Sequence, residues 1–340
     1  MKIGWRGALG FILSAALLWF ALRDIHVADV GRAIAAANVP LLLLAAVVAT
    51  CTFPTRAMRW RPILAGVVPR LPFGPLWRAV AIGFMITNVV PVRAGELARA
   101  FVLSRERPDV PFSASFASVG VDRLFDAVVV IAMMLLATLD PAFPSGTPVA
   151  GYSVLRWAGV LTTVVAVGVV GLGTLAWFPA TVERLFELLA GRVAPRLEER
   201  GVAFIRGFAS GLRVLRHPGR AIEVLLWTAL HWTLNAVAFW IAFRAVGIQA
   251  PLSSAFFLQG LIAVGIAVPV APGFFGMFEA LGKVGLGLYG IDPTIAVTWA
   301  IAYHVVTYIP ITSIGAWYFG RLGVSLGEMA RAAAKGEGAT

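Results

Sequence analysis

The stretch NVVPVRAGELAR at residues 88–99 ends one apolar run and begins another, with a proline, a glycine and charged side chains in between. A second stretch, VPVAPGFFGMFE at residues 268–279, contains the same Pro-Val-x-x-Gly pattern, and its Pro269 lies 178 residues after Pro91 (269 − 91). Proline lacks an amide hydrogen and clashes with the preceding helical turn. The two stretches therefore predict broken helices, at residues 76–107 and again at residues 254–290.

The surrounding sequence is too apolar for a soluble protein. Charged residues make up 13% of the 340 residues and hydrophobic residues 59%, whereas soluble domains carry about 25% charged residues. The net charge of +11 comes largely from basic residues between apolar runs, where they would meet anionic lipid headgroups. We therefore expect a membrane protein whose partners are membrane lipids with anionic headgroups, and no nucleic acid.

Six further apolar runs are long enough, or nearly so, to cross a bilayer as helices. They are residues 5–22, 39–55, 113–139, 155–178, 221–246 and 294–319. Three of these runs separate the broken segments, so the segments would enter the membrane from opposite sides as an inverted repeat, a build typical of transporters. The expected fold class is an all-α polytopic membrane protein, with six transmembrane helices and two re-entrant helical hairpins in one membrane domain, residues 1–340.

The loops predict the orientation of the chain, because cytoplasmic loops carry the excess of Lys and Arg. Most basic residues, including the arginines between residues 56 and 107, fall on the side of the N-terminus. Both termini are therefore expected in the cytoplasm, with residues 5–22 as a retained span and residues 321–340 as a short tail. Residues 180–219 are expected to form basic amphipathic helices on the inner leaflet, or else a surface that docks a partner.

Charged and polar side chains inside apolar segments are candidate functional residues, because a charge in the bilayer is costly and must face protein or water. The candidates at the breaks and in the spans are Arg93, Gly95, Glu96, Arg99, Asp122, Arg123, Asp126, Pro269, Pro272, Gly273, Glu279 and His304. Arg93 and Arg123 are expected to contact a phosphate, because a guanidinium binds two oxygens at once, and the carboxylates to position the arginines. The alternatives are a structural ion cluster and, at the first break, arginines that reach the membrane interface.

No motif for nucleotide binding, metal binding or nucleophilic catalysis is present in the sequence. We therefore expect no cofactor and assign no catalytic residue. His304 lies 178 residues after Asp126 (304 − 126), so the two would occupy equivalent positions in the repeat.

Three ordered motifs resemble one known family. Residues 88–99, DRLFD at residues 122–126 and APGFFGMFE at residues 271–279 resemble the flippase-like, lysylphosphatidylglycerol synthase transmembrane-region family. The resemblance implies a multi-pass protein of the bacterial cytoplasmic membrane that moves a lipid between leaflets, here as a stand-alone member without the synthase domain. Two positions depart from the family pattern: Asp122 replaces a glutamate and Phe274 replaces a glycine.

The expected function is translocation of a phospholipid or another phosphate-bearing lipid between leaflets. Two alternatives remain open, a membrane-embedded lipid-modifying enzyme with Asp or His as its base, and an accessory or scaffold subunit of a lipid-synthesis complex. The chain is also compatible with a homo-oligomer or with a partner protein from lipid synthesis.

Overall fold

A computed structural model describes residues 5–90, 94–146, 148–149, 152–193, 202, 205, 212–266, 272–325 and 327–329. The α-helices within these ranges are α1 (Trp5–Leu22), α2 (Val27–Ala35), α3 (Val39–Leu64), α4 (Phe73–Val89), α5 (Ala94–Glu106), α6 (Phe112–Ala137), α7 (Val154–Trp177), α8 (Pro179–Val193), α9 (Pro218–Ala245), α10 (Leu252–Gly265), α11 (Met277–Leu288) and α12 (Pro293–Arg321). Short 3-10 turns lie at Leu212–Arg216 and Pro272–Phe274, and two-residue strands at Pro148–Val149 and Tyr152–Ser153 pair antiparallel.

Three helices, α3, α9 and α12, are long and apolar enough to cross a membrane. Two bent pairs, α1 with α2 and α7 with α8, pass the same test when each pair counts as one span, and their bends measure 78° and 104°. The part of the chain that the structure describes is thus an all-helical membrane protein with three to five candidate spans.

The prediction that the second span ends at residue 55 is wrong. Helix α3 continues to Leu64, and Arg56 and Arg59 lie inside it, with 6% and 0% of their surface exposed. The prediction of the orientation treated these two arginines as loop residues. The structure places both of them inside a helix. The helix continues through them because carboxylates on α6 pair with their guanidinium groups, and this pairing offsets the cost of burying the charge.

Helices α4 and α5 fold back on each other as an antiparallel hairpin, called here the first hairpin. Arg78 near the start of α4 pairs with Glu106 at the end of α5. At the other end, Gly95 at the start of α5 lies against Thr87 near the end of α4. The chain therefore reverses its direction at the predicted break.

Helices α10 and α11 form the second hairpin in the same way. Phe257 near the start of α10 packs edge-on against Tyr289, just beyond the end of α11, with ring centroids 6.3 Å apart. Gly265 at the end of α10 lies against Leu281 in the first half of α11. Both predicted breaks thus separate two helices that return along each other.

Replacing Gly95 by alanine is expected to destabilise the protein by about 1–3 kcal/mol, the usual cost of overpacking. A Cβ atom at this position would overlap the Thr87 hydroxyl and the carbonyl oxygen of Gly83, which is backbone and cannot move aside. Thermal unfolding in detergent measures the effect. The matched control is Gly31→Ala in α2, where a Cβ meets nothing within 4 Å; equal unfolding temperatures for the two variants would contradict the close approach in the first hairpin.

Helices α3–α6 and α9–α12 repeat one order of elements, namely a long helix, a hairpin and a second long helix. Corresponding helices begin 179, 179, 183 and 181 residues apart (218 − 39, 252 − 73, 277 − 94 and 293 − 112). The packing repeats as well, since α4 contacts α12 and α10 contacts α6. The equivalent helices α3 and α9 pack antiparallel, because the Asn38 amide donates to the Ala245 carbonyl at 2.8 Å while Arg59 Nη1 donates to Thr228 Oγ1 at 3.4 Å.

The region between α7 and α9 is described only in part. Helix α8 covers the first half of the predicted amphipathic region, 180–219, and a 3-10 turn occupies Leu212–Arg216. Residues 194–201, including Pro195, and residues 203–204 and 206–211 lie outside the described residues, as does most of the expected tail at residues 321–340.

Candidate functional site

A cluster of buried ion pairs forms where α6 crosses α3 and α9. The Asp126 carboxylate accepts hydrogen bonds from Arg56 Nη1 at 3.0 Å, from Arg59 Nη1 at 2.5 Å and from Trp232 Nε1 at 2.9 Å. Hydrogen bonds with an ionised partner are about twice as strong as neutral ones. Asp126 therefore connects three helices inside the bundle.

Asp122, one turn earlier on α6, extends this cluster to the first hairpin. Its carboxylate lies 2.6 Å from Arg59 Nη2 and 2.7 Å from Arg99 Nη1. The Arg99 guanidinium also lies 3.8 Å from the centre of the Trp60 ring, which gives a cation–π contact. Arg99 is buried, so it does not reach the membrane interface, the alternative that its sequence position had left open.

The edge of the cluster is formed by Arg123 and Glu96. Arg123 Nε donates to Glu96 Oε1 at 3.0 Å, and the two side chains are 44% and 28% exposed. The described members of the cluster are Arg56, Arg59, Arg99, Arg123, Glu96, Asp122 and Asp126. Four arginines meet three carboxylates, so the described cluster carries one excess positive charge and favours an anion nearby.

The second break contains a smaller polar cluster. The backbone amide of Gly276 donates to Glu279 Oε2 at 2.6 Å, which fixes this carboxylate at the start of α11. Glu279 Oε1 lies 2.7 Å from His304 Nδ1, and the carbonyl oxygen of Gly273 lies 2.8 Å from His304 Nε2. The Phe275 ring stacks on the imidazole at 4.4 Å. His304 on α12 thus contacts the tip of the second hairpin at three points.

A cavity of about 220 Å³ lies between the ends of the two hairpins and the long helices α3, α9 and α12. The polar side chains that line it are Thr52, Arg56, Asn88, His231, Asn235, Gln259, His304, Thr307 and Tyr308. Aromatic rings complete much of the wall: Phe53, Phe84, Trp232, Phe239, Phe274, Phe278 and Tyr303. Among the described lining residues, Arg56 alone carries a permanent charge, so it connects the cavity to the ion cluster behind it.

The structure separates the predicted site residues into those at the cavity and those behind it. Gly273 and His304 line the cavity, and Glu279 contacts His304 from behind. The other described candidates do not line it: Gly95, Glu96, Arg99, Asp122, Arg123, Asp126 and Pro272. Arg93 and Pro269 lie outside the described residues, so their roles stay predictions.

Sequence reasoning missed Arg56, which pairs with Asp126, and Arg59, which pairs with both buried aspartates. One signal was available. Arg56 and Arg59 stand one helical turn apart directly after an apolar run, and Asp122 and Asp126 stand one turn apart in α6. Residues three or four apart lie on the same face of a helix, so two such pairs of opposite charge can face each other across a helix contact, although the sequence does not say which helices touch.

Phe274, which replaces the glycine of the family pattern, has a backbone conformation that glycine favours. Its φ is +61°, and the neighbouring Gly273 and Gly276 have φ values of +66° and +85°. A residue with a Cβ atom in this left-handed region costs about 1–2 kcal/mol. The Phe274 ring lines the cavity, so the replacement fills space at the second break.

Replacing Phe274 by glycine is expected to give a protein about 1–2 kcal/mol more stable than replacing it by alanine, because both variants lose the ring and glycine alone relieves the backbone. Thermal unfolding in detergent measures the difference. The matched control is the same pair of substitutions at Phe116, an exposed residue in α6, where alanine is expected to be the more stable by about 1 kcal/mol. An alanine variant at residue 274 that equals or exceeds the glycine variant would contradict the left-handed backbone.

Long apolar helices, two helical hairpins and a cavity beside a charged cluster define a polytopic helical membrane protein. The chain belongs to the family described as Lysylphosphatidylglycerol synthase TM region, which matches residues 7–315. No solved structure matches it.

Three curated relatives extend this comparison. The chain is 28% identical to the glycosyltransferase AglD of Haloferax volcanii over 87% of its own length, but it spans only 51% of AglD. It is 25% identical to a UPF0104 membrane protein of Methanothermobacter thermautotrophicus and 21% identical to one of Pyrococcus horikoshii. Those two matches cover 92% and 90% of this chain and 93% of each relative.

Proposed function

We propose that the protein moves a phosphate-bearing lipid between the leaflets, with the headgroup passing through the cavity while the acyl chains stay in the bilayer. Arg56 is the observation that carries this proposal. It lines the cavity, and among the described residues its guanidinium is held by a single carboxylate, Asp126. Its remaining N–H donors can bind phosphate oxygens in the planar geometry that arginine offers.

The size of the cavity supports a headgroup as its occupant. Its volume of about 220 Å³ is below the 300–1,000 Å³ or so of pockets that enclose a drug-sized ligand. A phosphate with a small polar group fits such a space, whereas two acyl chains do not. The amides of Asn88, Asn235 and Gln259 and the hydroxyls of Thr307 and Tyr308 supply uncharged partners for the rest of a headgroup.

We further propose that α3–α6 and α9–α12 are inverted repeats, with the first and second hairpins entering the membrane from opposite sides. The antiparallel packing of α3 on α9 supports this, because equivalent helices then run in opposite directions. The six spans in this arrangement are α1, α3, α6, α7, α9 and α12. Unwound backbone at membrane depth is tolerated beside a cavity, and transporters place their sites at such repeat interfaces.

The proposed location is the bacterial cytoplasmic membrane, with both termini in the cytoplasm. Three of the arginines between residues 56 and 107, namely Arg56, Arg59 and Arg99, are buried and no longer count toward the charge of that side. The excess of basic residues on that side persists without them, through residues such as Arg61, Arg70 and Arg107. We propose membrane lipids with anionic headgroups as the partners of the protein.

An accessory role in lipid synthesis is the second candidate function. It is favoured by the match to 51% of the length of a protein named a glycosyltransferase. In that relative the matching region is joined to further sequence, and a chain such as this one can instead associate with a separate enzyme. In this role the cavity residues would tolerate substitution wherever the protein still folds. A membrane-embedded lipid-modifying enzyme remains the third candidate, and product formation in detergent would identify it.

Reconstitution into phospholipid vesicles tests translocation directly. Phosphatidylglycerol and a polyprenyl phosphate, each with a fluorescent label, are placed in one leaflet, and a membrane-impermeant quencher reports their appearance in the other. We expect the wild-type protein to speed the movement of at least one of these lipids over protein-free vesicles. A labelled diacylglycerol, which has no phosphate, is the matched control lipid, and its movement is expected to stay unchanged by the protein. Unchanged leaflet distribution of both phosphate lipids would refute the proposal.

A further inference from the structure

We propose that Glu279 and His304 form a proton-binding site that clamps the tip of the second hairpin to α12. This inference rests on the proposed function and deepens it, because it names the proton as the ion coupled to translocation and the second hairpin as the moving element. It goes beyond the headgroup site, since neither residue belongs to the arginine cluster on α6.

The contacts of His304 require a proton in addition to the one that a neutral imidazole carries. Its two ring nitrogens both face oxygen acceptors, the Glu279 carboxylate at 2.7 Å and the Gly273 carbonyl at 2.8 Å. A neutral imidazole has one N–H, so it can donate to only one of the two. Both contacts are satisfied when the pair holds one further proton, either on the imidazole or on the carboxylate.

Loss of that proton breaks one of the two contacts, whichever ring nitrogen keeps its hydrogen. If Nε2 keeps it, the lone pair of Nδ1 faces the ionised Glu279; if Nδ1 keeps it, the lone pair of Nε2 faces the Gly273 carbonyl. Both oxygens belong to the hairpin tip, since the Gly276 amide fixes Glu279 there at 2.6 Å. With the further proton bound, the tip makes two hydrogen bonds to His304 on α12. When that proton is released, at most one of these two hydrogen bonds remains.

The first hairpin has no such switch among its described contacts. Arg99 on α5 pairs with Asp122 on α6, and Glu96 on α5 pairs with Arg123 on α6. These contacts between α5 and α6 are equivalent to the contacts between α11 and α12 in the second repeat. Arginine does not lose its proton in proteins. The two hairpins therefore differ in kind, because each ion pair of the first includes an arginine, which keeps its charge, whereas the contact of the second joins a histidine to a glutamate. We infer that the first hairpin stays fixed while the second moves.

The other charged, titratable or polar side chains near His304 have contacts of their own, so we assign the proton-binding site to the pair of Glu279 and His304. Those that line the same cavity are Arg56 on α3, His231 on α9, the uncharged Asn88 on α4, and Tyr303 and Tyr308 on α12. Lys283 on α11 donates to the carbonyl oxygens of Phe20 and Ala21 on α1, and Asp29 on α2 pairs with Arg32. His231 shares its Nδ1 with Thr52 and Thr55 on α3 and touches no residue of the second hairpin among the described contacts.

Distance measurements between spin labels test the clamp without any lipid assay. One label pair joins Val284 on α11 to Ile309 on α12, both exposed, in full-length protein with Cys51→Ser. We expect the distance to change in a single transition during a pH titration from about 5 to about 9, a window that includes the range in which an unperturbed histidine changes its charge. The matched control pair joins Ser104 on α5 to Phe116 on α6, and it is expected to stay constant.

Substitution of the pair assigns the transition. His304→Gln and Glu279→Gln are both expected to abolish it, and His231→Gln is expected to retain it. A wild-type distance that stays constant across the pH range overturns the proposal, as does a transition that persists in His304→Gln. Should the variants fail to fold, the spectrum of isotope-labelled histidine in the wild-type protein still decides, because a pair that holds no further proton anywhere in this pH range contradicts the clamp.

Vesicle assays with an imposed pH gradient then separate this inference from the proposed function. A gradient is expected to change the rate of lipid movement at least severalfold in the wild-type protein and to have no effect in His304→Gln. Lipid movement that ignores the gradient overturns the coupling but leaves translocation intact. A hairpin that moves with pH in a protein that moves no lipid refutes the proposed function and keeps the proton-binding site.

Discussion

Replacing Asp126 by alanine is expected to destabilise the protein by about 3–5 kcal/mol, the range for removing one partner of a buried ion pair. The substitution leaves Arg56 and Arg59 without the carboxylate that both contact, and Trp232 without the acceptor of its indole N–H. Arginine cannot become neutral to escape the cost of burial. Unfolding in detergent, followed by heat or denaturant, measures the loss.

The matched control for this prediction is Asp109→Ala. Asp109 also pairs with an arginine, Arg107, but its side chain is 46% exposed. Exposed pairs contribute about 0–1 kcal/mol, so this variant should unfold close to the wild type. If the two alanine variants were equally stable, the cluster on α6 would not hold the bundle together.

Replacing Arg56 by glutamine is expected to slow lipid translocation by roughly tenfold to a hundredfold. A hydrogen bond to a charged group contributes about 1.5–3 kcal/mol, and each 1.36 kcal/mol corresponds to a factor of about ten in rate. Arg56→Lys should fall in between, because lysine keeps the charge but offers a point charge in place of a planar fork. Initial rates in the vesicle assay with labelled phosphatidylglycerol measure the effect.

The control variant here is Arg105→Gln, which removes an arginine that pairs with Glu328 at an exposed position. Its rate should match the wild type. Unfolding temperatures are recorded for every variant, so that slower transport is compared only among folded proteins. An Arg56→Gln protein that folds and transports at the wild-type rate would show that the headgroup does not depend on this guanidinium.

The ends of most long helices follow from the sequence because an apolar run ends where the chain meets water. Helix α1 has the predicted bounds, and α9 and α12 differ from theirs by a few residues. Helix α3 departs because Arg56 and Arg59 resemble the beginning of a loop, whereas their partners on α6 lie far away in sequence. A hydropathy scale includes the unfavourable free energy of burying a charge, but it does not include the favourable interaction with a partner that lies far away in sequence.

The candidate site could be predicted in part for a similar reason. Asp122, Asp126 and His304 stand out as polar residues in apolar runs. Which arginines they meet depends on the angles at which helices cross, and the sequence does not contain these directly. The short helix α2 was also missed, because its nine residues are far fewer than the about 20 that cross a bilayer, and the search for spans considered only long apolar runs.

A structure of the full-length protein determined in membranes that retain native lipid tests the central claim most directly. We predict density for a phosphate-bearing headgroup in the cavity, in contact with Arg56 and between the two hairpins, with acyl chains that leave the protein toward the bilayer. A cavity that contains only water while lipids surround the outer surface of the bundle would contradict this account.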